Sequence, residues 1–202
     1  MKREDALFRK GFLYRFSRKR VFFPLLLSFC FGVFLGSIAV VGFDLFQSQT
    51  AIPLLFSGVP TPKNGFFSCF STILLNALIG LILLFLLGVT AFGAVGIPIF
   101  LLCKGISLGV CVQLFFTEES FKALGFLNIC YTPGAAFITL LLLLFATRAL
   151  VFSNSLAKAG FSPQQENLDF QFYFKDFFTF LCFSVLLSFV GALLTILSGL
   201  FA

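Results

Sequence analysis

Histidine and tryptophan are both absent from the 202-residue sequence, and only 11% of its residues are charged. Without histidine the chain lacks the usual general base and the commonest metal ligand, which excludes serine–histidine catalysis. Without tryptophan, anchoring at a membrane–water interface falls to basic residues and to three tyrosines, Tyr14, Tyr131 and Tyr173. The scarcity of charge excludes a water-soluble globule.

Cysteines and acidic residues are too scattered to build a reactive centre. The six cysteines show no C-x-x-C spacing and lie in or beside apolar runs, so we expect buried free thiols that pack as small hydrophobic side chains. Four acidic residues fall in loops that we place on opposite sides of a membrane, namely Asp44, Glu118, Glu119 and Asp169. We therefore expect a protein that is not an enzyme and that needs neither cofactor nor metal.

Apolar residues, by contrast, dominate the chain. They make up 59% of it, phenylalanine alone occurs 34 times, and the mean hydropathy is +1.08. Apolar runs of about 20 residues predict membrane-spanning helices. We predict an all-α, polytopic transmembrane bundle of about five spans, at residues 21–43, 72–92, 97–116, 127–151 and 177–201, in one integral membrane domain over residues 21–202.

The first 20 residues form a basic juxtamembrane arm with eight Lys or Arg and two acids. Such an arm is attracted to anionic cytoplasmic lipid and directs topology, so it requires no nucleic-acid partner. Inner segments of the predicted bundle hold 12 Lys or Arg against two in outer loops. We predict a multi-pass membrane protein with a cytoplasmic N-terminus and a C-terminus outside. A cleavable signal peptide is disfavoured, because the first apolar run is too long for one.

The segment Gly88–Val112 is predicted to form a helical hairpin, since the apolar tract around it is too long for one span. We place the break at Gly93–Pro98, because proline lacks the amide donor and glycine accepts the angles of a reversal. Lys104 then lies about 10 Å deep, where it either reaches the cytoplasmic headgroups or pairs with a polar group. Asn76 would lie about 15 Å from that level and is a poor partner. Arg148 would share the leaflet of Lys104, and the two cations could share a lipid phosphate or a partner's carboxylate.

Small residues predict close helix packing. Ser28, Gly32 and Gly36 recur every four residues in the first span, which favours packing on another helix of the same chain over dimerisation. Pro133 predicts either an interfacial turn followed by a span from Gly134 or a kink in a longer span. Together with the helix-packing face, the candidate structural and interaction residues are Asn76, Gly93, Gly96, Pro98, Lys104, Gly105, Gly109, Pro133 and Arg148.

Several of these positions occur in one recognisable order. The order is Ser71-Thr72-Ile73-Leu74-Leu75-Asn76, Gly88, the glycine and proline break, Lys104-Gly105-Ile106-Ser107-Leu108-Gly109, and Tyr131-Thr132-Pro133. This pattern resembles the stage II sporulation protein M family, over nearly the whole chain. The resemblance implies a bacterial cell-membrane protein of engulfment that holds two peptidoglycan hydrolases, stage II sporulation proteins D and P, at the septal and engulfing membrane.

Two hypotheses follow from the sequence. The leading one is a membrane scaffold in a peptidoglycan-remodelling complex during endospore formation, with membrane lipids and the two hydrolases as partners; a homo-oligomer stays open. The alternative is a transporter or permease-like component, since a broken helix with a buried lysine is how transporters build sites at the bilayer midplane. A water-accessible cavity around Lys104 would distinguish the second hypothesis from the first.

Overall fold

The computed structural model describes residues 19–42, 65–118, 121–161 and 170–201, and these ranges contain helices and no strand. Each of the five helices includes a stretch long and apolar enough to cross a membrane. Their bounds are α1 Lys19–Gly42, α2 Phe66–Val89, α3 Gly93–Glu118, α4 Phe121–Phe161 and α5 Phe170–Phe201. The prediction of an all-α bundle with five spans is confirmed. Residues 1–18 of the basic arm lie outside the described ranges, so the division into an arm and a membrane domain stays a prediction.

The turn between α2 and α3 comprises Thr90–Phe92, so the predicted break at Gly93–Pro98 is wrong. Thr90 ends α2 with extended backbone angles, and its hydroxyl donates to the carbonyl oxygen of Leu87 over 2.8 Å. Pro98 lies inside α3. Pro98 lacks the N–H that would bond the carbonyl oxygen of Ala94 one turn earlier. Its own carbonyl oxygen accepts a hydrogen bond of 3.1 Å from Ser28 of α1, which joins α1 to α3.

Helix boundaries also differ from those predicted. α2 begins at Phe66, six residues before the expected start at 72, and α5 begins at Phe170 instead of 177. α4 is one helix of 41 residues with Pro133 inside it, so the alternative of an interfacial turn before a span from Gly134 is wrong. The longer-span alternative describes α4, whose most apolar stretch is Pro133–Ala157.

The helices alternate in direction. α1 and α3 run parallel, because Ser28 contacts Pro98 while Gly36, two turns on, lies against Ile106. We call the end of the bundle at Thr90–Phe92 the turn end and the opposite end the far end. α1, α3 and α5 lead away from the turn end, whereas α2 and α4 lead towards it.

Aromatic contacts join α2, α4 and α5. Near the turn end the Tyr173 ring stacks between Phe85 of α2 and Phe152 of α4, with centroid distances of 5.2 and 4.4 Å. Near the far end Phe66 of α2 meets Phe189 of α5 edge to face at 5.5 Å. These two levels show that α2 and α5 are antiparallel neighbours along their whole shared length.

Candidate functional site

Lys104 lies in the interior of the bundle, where its side chain is 7% exposed. Its ammonium donates a hydrogen bond of 2.5 Å to the Oδ1 atom of Asn76, which joins the middle of α3 to the middle of α2. The prediction that Asn76 is a poor partner for Lys104 is therefore wrong. So is the alternative in which Lys104 reaches the headgroups.

The position of the turn explains this contact. Asn76 precedes Thr90 by 14 residues and Lys104 follows Phe92 by 12, so their levels differ by two residues, or about 3 Å at a rise of 1.5 Å per residue. Lys104 is about 18 Å from the turn by the same rise. With the turn at the edge of a hydrocarbon core roughly 30 Å thick, the pair would lie near the middle of the membrane.

Arg148 belongs to a different level. It forms a salt bridge with Asp176 across α4 and α5, and its guanidinium carbon lies 5.3 Å from the centroid of the Phe180 ring. Arg148 precedes Ser153 by five residues, and Ser153 touches the turn. Along the helix axis Arg148 is therefore about 8 Å from the turn, about 10 Å closer to it than Lys104 is. The prediction that Lys104 and Arg148 share a leaflet stays a prediction, but the carboxylate beside Arg148 comes from Asp176 of this chain's own α5.

The small residues of α1 and α3 bring the two backbones into direct contact. A β-carbon placed on Gly36 would lie 2.9 Å from the Ile106 α-carbon, and one placed on Gly105 would lie 3.1 Å from the Gly32 α-carbon. A β-carbon on Gly109 would collide with the Val33 carbonyl oxygen. The prediction of close packing within the chain is confirmed for these four glycines, which we call the glycine crossing.

The other glycines have more varied surroundings. Gly93 packs against the side chain of Ser153, whereas Gly96 meets the flexible end of Leu87. At the far end, a β-carbon built on Gly134, the residue after Pro133, would lie 3.3 Å from the Gly191 α-carbon of α5. Pro133 itself is exposed on the outer surface of the bundle.

Two hydrogen bonds from distant helices fix the turn end. Ser153 of α4 is fully buried and donates to the Thr90 carbonyl oxygen over 2.7 Å. The Tyr173 hydroxyl of α5 donates to the Phe85 carbonyl oxygen over 3.3 Å and lies against Gly88. Sequence reasoning missed these contacts, because the predicted fourth span ended at residue 151, before Ser153, and because Tyr173 was given only an interfacial role. The apolar residues around both positions in the sequence were the available signal.

The four cysteines whose side chains the structure describes are free: Cys69 is buried as expected, whereas Cys30, Cys103 and Cys182 are exposed. The last three lie on the outer surface of membrane-spanning helices, where lipid takes the place of protein packing. The side chains of Cys111 and Cys130 lie outside the described part of the structure. Within the described part of the chain, no group of three or more cysteines and acids is placed to hold a metal ion.

The family match extends over this whole arrangement. A family model described as stage II sporulation protein M matches residues 24–195, which is 172 of the 202 residues. The chain belongs to the stage II sporulation protein M family. The match starts in α1 and ends in α5, so it includes the glycine crossing, the Lys104–Asn76 pair and the turn end. No curated protein and no solved structure gave a significant match. The chain is thus a sporulation-related, multi-pass membrane protein.

Proposed function

We propose that this member of the stage II sporulation protein M family is an integral membrane scaffold that holds peptidoglycan hydrolases at the septal membrane during endospore formation. The main observation in support of this proposal is the family match, which extends across all five spans. The proposed partners are stage II sporulation proteins D and P, which would perform the hydrolysis while this chain fixes their position during engulfment.

The packing of the candidate residues supports a scaffold. Lys104, Asn76 and the glycine crossing all make contacts within the bundle, so these residues serve to hold its helices together. The outer helices leave large apolar faces uncovered. On α1 one such face consists of Phe23, Leu27, Phe31, Phe34 and Ile38, each between 49% and 66% exposed. A surface of this kind is available to lipid or to a partner's membrane span.

The transporter hypothesis loses its main structural argument. Transporters build midplane sites from helices that unwind there, but α2 and α3 are continuous at the level of Asn76 and Lys104, and the break between them lies at the turn end. The buried lysine remains as the one observation in its favour. A Ser107→Cys variant, one turn from Lys104, would separate the hypotheses, since Ser107 is only 8% exposed.

Orientation forms part of the proposal. The turn end is taken as cytoplasmic, because the N-terminal arm, Arg148, Lys158 and Lys175 place 11 Lys or Arg on that side and only Lys63 and Lys122 fall on the other. Lys104, near the midplane, counts for neither side. In this orientation the far end would face the compartment that contains peptidoglycan.

The test is chemical cross-linking in sporulating cells that carry a tagged chain, followed by purification under denaturing conditions. We expect both hydrolases to be recovered with the chain, and a tagged unrelated multi-span protein of the same membrane to recover neither. In cells that lack the chain, fluorescent hydrolases should lose their septal position. Hydrolases that stay at the septum without this chain, and that never cross-link to it, would refute the scaffold.

The transporter alternative is tested with the Ser107→Cys variant in a chain whose native cysteines are replaced by alanine. A packed scaffold leaves the new thiol unreactive towards a hydrophilic thiol reagent, whereas Gly65→Cys reacts, since nothing lies within 4 Å of a β-carbon at Gly65. Rapid reaction of both thiols would favour a water-filled site beside Lys104.

A further inference from the structure

α3 is the least apolar of the five spans. Its membrane-spanning stretch has a mean hydropathy of 1.8, against 2.3 to 2.6 for the others. It also contains Pro98 and places Lys104 twelfth of its 26 residues, near the centre of the helix. A lysine at the centre of a span is among the most unfavourable residues for membrane insertion. α3 is therefore a weak span when considered by itself.

α2, which precedes it, has the opposite character. Its mean hydropathy is 2.6, the highest of the five, and it contains no charged residue. The three-residue turn Thr90–Phe92 connects the two helices directly, so the turn alone sets Asn76 and Lys104 at nearly the same level. α2 thus supplies a hydrogen-bond acceptor at the depth where α3 carries its least favourable group.

We propose that α2 is the insertion partner of α3: the two helices enter the bilayer as one hairpin, and the Asn76–Lys104 hydrogen bond is what retains the lysine-bearing limb across the membrane. The contact lies beside the packing of α1 on α3, because Gly105, the residue after Lys104, belongs to the glycine crossing. Asn76 and Lys104 are positioning residues in this assembly step. The proposal concerns how the bundle is built and is independent of the scaffold role.

The experiment follows the sidedness of α3 in the full chain. A single cysteine replaces Ser120, between α3 and α4 in the sequence, in a chain without its native cysteines, and a membrane-impermeant maleimide is applied to either face of the membrane. The parent chain should label from one face alone. Asn76→Leu removes the acceptor but keeps an apolar side chain, and we expect the ratio of wrong-face to right-face labelling to rise about 3- to 20-fold, as for the loss of one interhelical hydrogen bond.

Rescue separates the proposal from simple damage to α2. Lys104→Leu should label like the parent, and Asn76→Leu combined with Lys104→Leu should return to the parent pattern, since the lysine that needed Asn76 is gone. Thr72→Leu, one turn before Asn76, is the matched control; Thr72 donates within its own helix to the Ser68 carbonyl oxygen, so its loss should change nothing. Parent-like labelling of Asn76→Leu, or a double variant as mis-sided as Asn76→Leu, would overturn the proposal.

Discussion

Substitution of Gly36 by alanine tests the glycine crossing where two backbones meet. The added methyl group would collide with the Ile106 carbonyl oxygen and would lie 2.9 Å from the Ile106 α-carbon, whereas ordinary contact begins at 3.4 Å, so α1 and α3 must separate by more than 0.5 Å. A gap of that size forfeits a quarter to a half of the dispersion energy of the contacting atoms, and inserting a methylene into a packed site costs typically 1–3 kcal/mol. We expect Gly36→Ala to lower the free energy of unfolding by about 2 kcal/mol.

The assay is denaturant unfolding of the purified chain in a fixed detergent, with Gly191→Ala as the matched control. Gly191 is also a glycine inside a span, but a β-carbon there meets only the Ile73 side chain, at 3.6 Å or more. Alanine is favoured over glycine in a helix by about 0.5–1 kcal/mol, so this variant should be as stable as the parent or more stable. Equal losses in both variants, or none at Gly36, would refute the close approach of α1 and α3.

Three further substitutions test the contacts of the turn end by the same unfolding measurement. Asp176→Ala leaves the partly buried Arg148 without its partner and should cost about 1.5–3 kcal/mol, whereas Asp176→Ala with Arg148→Leu should cost less; the reverse order would mean that the salt bridge does not form. Ser153→Ala removes the bond to the Thr90 carbonyl and should cost about 1 kcal/mol, and an unchanged stability would argue against that bond. Tyr173→Phe keeps the stacked rings and should cost about 0.5–1 kcal/mol; a larger loss would show that the hydroxyl does more than bond one carbonyl.

The part of this fold that could be predicted from the sequence is the part that rests on local periodicity. Long apolar runs specify five helices, and the spacing of Ser28, Gly32 and Gly36 specifies one smooth face on α1. Both were confirmed, because each depends on residues within one helix. The partner of that face, α3, was not evident, since parallel helices such as α1 and α3 share no sequence signal.

The Lys104–Asn76 pair shows why a small local error becomes a large structural one. The break was predicted at Gly93–Pro98 because glycine and proline occur there. In the structure α2 ends earlier, at Thr90, whose hydroxyl donates a hydrogen bond to the last turn of the helix. A shift of the turn along the chain lengthens one limb while it shortens the other, so each residue of error changes the relative level of Lys104 and Asn76 by two residues, about 3 Å. The requirement that the two polar residues lie at the same level is thus a more reliable guide to the position of the turn than the positions of glycine and proline.

The length of α4 sets how this protein relates to the bilayer around it. At 41 residues the helix is about 60 Å long, twice the hydrocarbon thickness of roughly 30 Å, and fitting it inside would require a tilt of about 60°, beyond the range of 0–40° seen for membrane helices. Tilt alone cannot absorb this mismatch, so α4 must leave the hydrocarbon. The helix therefore projects from the membrane, and the chain between its first residue and Ser153, which holds the turn, contains Pro133 but no hinge loop.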